Sequence, residues 1–165
     1  MPRVKASVSE DEEAIYTSGQ CHIFAIALHR LTGLPLGSIA QREPVPEKDR
    51  VFPDGEPLYY ELHAHAVVLL GGGLYADVDG IHLFDANEAL SWFAGTGNLP
   101  ELIHYGDDED ALEERYPDDV ALYLNQALRD VDEWDCDSLA LHYHHLYQAG
   151  KLDIDTLCAP EKKAG

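Results

Sequence analysis

The sequence lacks any long apolar run. Its longest stretch extends from Ala64 to Leu70, or to Ala76 if the glycines are admitted, against the ~20 residues that a membrane-spanning helix needs. A transmembrane helix is therefore not expected. Basic residues are also scarce: 11 Lys and Arg face 31 Asp and Glu, a formal charge of −20. A surface of that sign repels nucleic-acid backbones and anionic lipid, so neither is expected as a direct partner. Cysteine is limited to Cys21, Cys136 and Cys158, an odd and widely spaced set with no C-x-x-C pair. That excludes a disulfide framework and a four-cysteine zinc site. No H-E-x-x-H pattern occurs either. From Met1 to Ala14 the acidic run Glu10–Glu13 stands where a secretory signal would need apolar residues, and a cytoplasmic protein is expected.

What is present fits one globular domain of 165 residues, 45% hydrophobic and 25% charged. The charge is uneven. Residues 1–60 carry nine acids and six bases, whereas 107–137 carry thirteen acids and only Arg115 and Arg129. Three regions follow: a core at 15–85, an acidic helical region at 86–150 and a tail at 151–165.

A helix is expected over 18–32, capped by Thr17 or Ser18, with Cys21, Phe24, Ala25, Leu28 and Leu31 on one stripe and Gly33 as terminator. From Gln41 to Pro57, four prolines, Gly55 and dense charge predict an exposed loop or lid. Tyr59–Leu70 reads as a strand, Gly71-Gly72-Gly73 as a turn and Leu74–Val78 as its hairpin partner, with Gly80 turning the chain again. Asp85 and Glu88 have capping-box spacing ahead of a helix over 86–94. Further helices are expected near 108–115, 118–131 and 137–149. The order of helix, hairpin and helices defines an α+β domain.

Chemistry concentrates in the first half. Cys21, about three positions inside its helix, lies where free backbone N–H groups and the helix dipole favour a thiolate. Two-residue alternation puts His63, His65 and Val67 on one strand face. Asp77, on the next strand, can place a carboxylate beside an imidazole and fix its tautomer. Attacker, base and orienter are the three roles of a thiol nucleophile site. His63 competes with His65 as base, and Asp79 with Asp77 as orienter.

The segments Gly19-Gln20-Cys21-x-x-Phe24-Ala25-x-x-Leu28, Gly33-Leu34-Pro35, His65-x-Val67 and Asp77-x-x-Gly80 resemble the core of the papain-like, transglutaminase-like cysteine enzymes. The resemblance covers residues 17–85. It implies a nucleophile-bearing helix packed on a small antiparallel sheet, with Cys21 as nucleophile, His65 as general base and Asp77 as orienting acid. A backbone N–H at Cys21 would then contribute to an oxyanion hole. Val67 stands where transglutaminases carry Trp, and Cys21 precedes His65 by only 44 residues, which favours a minimal member such as a peptidase, amidase or effector deamidase. The implied activity is acyl transfer or hydrolysis at an amide bond of a protein or peptide, with no cofactor and no metal.

Two other readings compete. His63-x-His65 with His82 and Asp77 or Asp79 could chelate a metal, and His142, His144 and His145 form a second cluster. The acidic helices could instead imitate a nucleic-acid backbone and occupy a basic protein partner, a function that needs none of Cys21, His65 or Asp77.

Overall fold

The computed structural model describes residues 3–5, 15–16, 20–44, 59–93, 98–116 and 119–152. The fold is α+β, with a six-stranded sheet among these residues. Its strands are β1 (Arg3–Lys5), β2 (Leu36–Pro44), β3 (Tyr59–Gly71), β4 (Leu74–Asp77), β5 (Gly80–Leu83) and β6 (Glu101–Gly106). They lie in the order β1-β5-β4-β3-β2-β6 with every neighbouring pair antiparallel. The helices are α1 (Cys21–Thr32), α2 (Ala86–Ala89), α3 (Glu109–Glu113), α4 (Val120–Glu133) and α5 (Cys136–Gln148).

Helix α1 is the centre of the molecule. The single stripe expected for it is too narrow, because every residue from Cys21 to Leu28 is buried while Leu31 is exposed. The cause is its position between the sheet and the pair α4 and α5, so that both of its faces need apolar cover. Ile23, Phe24, Ile26 and Leu28 pack with Val68, Leu70, Leu74 and Ile81 of the sheet and with Val131 and Ala140 of α4 and α5. Gly33 ends the helix at φ 74°, donating its N–H to the His29 carbonyl at 2.7 Å. A smaller cluster of Ile39, Val67, Leu69, Tyr75 and Ala89 covers the opposite sheet face.

The expected hairpin of β3 and β4 forms, with Gly71, Gly72 and Gly73 all at positive φ. Four strands depart from the sequence reading. The expected loop from Gln41 begins instead with β2, which continues to Pro44 on β3; residues 45–58 lie outside the described set. Strands β1, β5 and β6 are additional; β1 is three residues long and β5 four. The helix expected over 86–94 is shorter, one turn of α2 followed by a 3₁₀ turn at Leu90–Trp92. Asp85 does cap α2, accepting from the N–H groups of Asn87 and Glu88. Among the described residues no helix is long and apolar enough to cross a membrane.

Candidate active site

Cys21 is the first residue of α1, nearer the helix end than expected. The N-cap is Gln20, which makes no side-chain cap, while Thr17 and Ser18 lie outside the described residues. The first helical bonds run from the Ile23 and Phe24 N–H groups to the Gln20 carbonyl, so the N–H groups of Cys21 and His22 precede them, and the dipole adds partial positive charge. The sulfur is therefore placed where negative charge is favoured. It is 6% exposed, inside the core edge.

Strand β3 supplies the next group. His65 hydrogen-bonds Cys21 through its ring, and the Ala66 backbone N–H also donates to the sulfur. On its other side His65 Nε2 lies 2.7 Å from Asp77 Oδ2. A carboxylate only accepts, so Nε2 carries the proton in this bond, and Nδ1 is the ring nitrogen not engaged by Asp77.

Asp77 ends β4 and is held by more than this histidine. Its Oδ1 accepts from the N–H groups of Asp79 at 2.9 Å and Gly80 at 3.2 Å, and lies 2.9 Å from His82 Nε2. The turn into β5 is thus capped by Asp77. His82 reaches this carboxylate because it pairs with Tyr75, two residues before Asp77, and its ring stacks on Tyr75 with centroids 4.9 Å apart.

Burial pushes the Cys21 thiol up, but hydrogen bonds from His22 and His65, the charge of His65 and the Ala66 N–H outweigh it and bring the thiol down to about 6. For His65, burial opposes the charge and the Asp77 and Cys21 bonds overcome it, raising the imidazole to about 10. Burial likewise opposes ionisation of Asp77, but the two imidazoles hold its carboxyl well below the usual range. Between about 6 and about 10 the pair stands as thiolate and imidazolium. Cys136 is the control within the same fold: burial, then the charges of Asp137, Asp77 and Asp135, push its thiol up to about 12. Cys158 lies outside the described residues.

The alternatives separate in space. His65 opposes Ile39 of β2 and His63 opposes the adjacent Ala40, so a bulge absorbs Ala64 and the shared face expected from alternation is lost. The rings diverge: His63 Nδ1 is 2.9 Å from Ser38 Oγ, whereas His65 turns to Asp77. Asp79 Oδ2 is 3.9 Å from His82 Nε2, and the Asp79 backbone N–H donates to the Asp77 carboxylate. His144 Nδ1 is 2.8 Å from the Leu70 carbonyl oxygen, tying α5 to β3. Among the described residues no group of three or more His, Cys, Asp or Glu is arranged to hold a metal ion.

Sequence reasoning missed several neighbours. His22 sits next to Cys21, fully buried, and Tyr116 stacks on it at 5.1 Å. The Tyr116 hydroxyl shares a 2.7 Å hydrogen bond with Ser38. Trp92 stands edge-on to His65 at 6.3 Å and is 44% exposed. His82 was named beside Asp77 only as a metal ligand; the Gly80 turn, which returns the chain antiparallel beside Tyr75, is the signal for its bond to the carboxylate. For Ser38, Tyr116 and Trp92 the link is tertiary, and nothing in local spacing carries it. A polarised buried thiol, an imidazole able to accept its proton and a carboxylate that holds the imidazole are together equipped to attack a carbonyl carbon. No protein-family model, curated protein or solved structure matches the chain.

Proposed function

We propose that the chain is a thiol-dependent enzyme acting at amide bonds, as a peptidase, amidase or glutamine deamidase, with Cys21, His65 and Asp77 as its triad. One observation carries this reading: a cysteine at a helix N-terminus hydrogen-bonds a histidine whose other nitrogen is 2.7 Å from a buried carboxylate. In support of a papain-like core, the cysteine helix, histidine strand and aspartate strand follow in that order, with α1 packed against β3.

The chemistry follows from the arrangement. The thiolate attacks the carbonyl carbon, a C–S bond forms and the carbonyl π electrons move to oxygen, where N–H groups at the start of α1 stabilise the charge. As the intermediate collapses the C–N bond breaks, and the His65 imidazolium gives its proton to the departing amine or ammonia. A thioester remains. Water then attacks it while His65 takes the water's proton; the C–O bond forms, the C–S bond breaks and the acid leaves. An amine in place of water gives transfer. Asp77 keeps the ring aligned and its charge stabilised throughout.

The test uses peptide anilides and glutamine-containing peptides as substrates, with release of amine or ammonia and the intact protein mass as readouts. Turnover with an acyl adduct on Cys21, lost in Cys21→Ala, is expected. Absence of both turnover and adduct across the two substrate types contradicts the reading. A protein acting through its acidic helices alone would keep its binding in Cys21→Ala.

A further inference from the structure

His22 is a buried imidazole in an otherwise apolar run, Ile23-Phe24-Ala25-Ile26-Ala27-Leu28. Burying such a ring costs free energy unless its polar atoms are engaged. Its surroundings are specific. The ring lies flat against Tyr116, centroids 5.1 Å apart and planes within 9°. Tyr116 is fixed in turn by its hydroxyl, 2.7 Å from Ser38 Oγ, and the same oxygen lies 2.9 Å from His63 Nδ1. Four elements therefore set the orientation of one ring: α1, β2, β3 and the segment after α3. That ring hydrogen-bonds the Cys21 sulfur.

We infer that His22 is a positioning residue of this site, a second imidazole that holds the Cys21 sulfur beside His65, with its orientation set by Tyr116 and, through Ser38, by His63. The inference rests on the proposed thiol chemistry and divides the work between two histidines. His65 is backed by the Asp77 carboxylate, which suits it to carry the proton. His22 is backed by a phenol, which burial and then the nearby thiolate keep neutral. The His22 ring steadies the thiolate by that hydrogen bond while His65 cycles the proton. The groups facing the sulfur are His22 from its own helix, His65 and the Ala66 N–H from β3, and Tyr116 after α3. Asp77 on β4 acts through His65, and Tyr105 on β6 faces Tyr116 and His63 from behind.

The arrangement makes His65 and His22 separable. The Cys21 titration is read as ultraviolet thiolate absorbance, wild type minus Cys21→Ala, in His22→Asn, Tyr116→Phe and His65→Gln proteins. Loss of one hydrogen bond to a charged sulfur should raise the thiol midpoint by about one unit in His22→Asn. Tyr116→Phe should move it less in the same direction, because the stack survives and the Ser38 link does not. In turnover of a peptide amide, His22→Asn should lower kcat with KM retained and shift the acid limb of the pH profile upward. A His65→Gln shift with an unmoved His22→Asn midpoint overturns the role of His22 and leaves the triad standing. An ordinary thiol midpoint in the wild type overturns both. Should His22→Asn fail to fold, ¹⁵N NMR of the wild type decides: the His22 ring resonance must move across the Cys21 titration and stay still in Cys21→Ala. A resonance that ignores the Cys21 titration overturns the inference.

Discussion

Asp77 is the residue on which the site depends most, since one carboxylate accepts from two imidazoles and two backbone N–H groups. Asp77→Asn is nearly isosteric and can keep the turn through its carbonyl oxygen, but its amide then meets a ring N–H and the imidazole loses its charge partner. Turnover should fall by about 10⁴-fold, as in comparable triads, with a native circular dichroism spectrum. Asp79→Asn should cost about 1 kcal/mol of stability or less and spare the chemistry; the reverse pattern would exchange their roles. The pH dependence of stability can be worked out by sign. Asp77, held low, contributes above its unfolded value near 3.8 and loses that contribution as pH falls through its lower folded value. His65, raised from 6.5 to about 10, contributes fully below 6.5 and loses its contribution as pH rises to 10. Cys21, lowered from 9.0 to about 6, contributes fully above 9 and loses it as pH falls to 6. Between about 6.5 and 9 the last two cancel, because the ion pair and the unfolded neutral pair bind the same number of protons. Denaturation midpoints should be flat across that interval with respect to this pair, and a slope that vanishes in Cys21→Ala would contradict the assignment.

Individual elements differ in how far the sequence reveals them. Helix α1 and the β3 and β4 hairpin were legible because Gly33 and the run Gly71-Gly72-Gly73 mark their ends. Strand β2 was not, since both faces of its middle are covered, Ile39 by the smaller cluster and Leu36 by the larger, and the two-residue polarity signal disappears. Cys21, His65 and Asp77 were found as residue types in a plausible order. The bulge at Ala64, which separates His63 from His65, is a pairing feature with no local marker. The hairpin gives a testable cost. A Cβ on Gly71 would lie 2.3 Å from the Tyr147 ring, and its φ of 114° disfavours any side chain. Gly71→Ala should destabilise by roughly 1–3 kcal/mol in urea unfolding, whereas Arg30→Ala, at the exposed link from α1 to Glu109 on α3, should cost less than about 1 kcal/mol. Equal costs would show that the hairpin relaxes freely.

At the scale of the whole molecule, 31 acids against 11 bases impose self-repulsion that local ion pairs cannot cancel. Screening relieves it, so the melting temperature should rise as NaCl increases from near zero to about 0.5 M; a fall would mean that ion pairs dominate over repulsion. The same excess of negative charge surrounds a fold that nonetheless lowers one thiol and raises another, and this contrast is the most direct handle on the proposed function. The decisive measurement is the rate of iodoacetamide alkylation at each cysteine against pH, resolved by peptide mass spectrometry. Cys21 should react along a curve with its midpoint near 6, while Cys136, pushed up to about 12, stays unmodified in the folded protein across the neutral range. Equal reactivity at both positions, or a Cys21 curve centred near 9, the ordinary thiol value, would contradict the account.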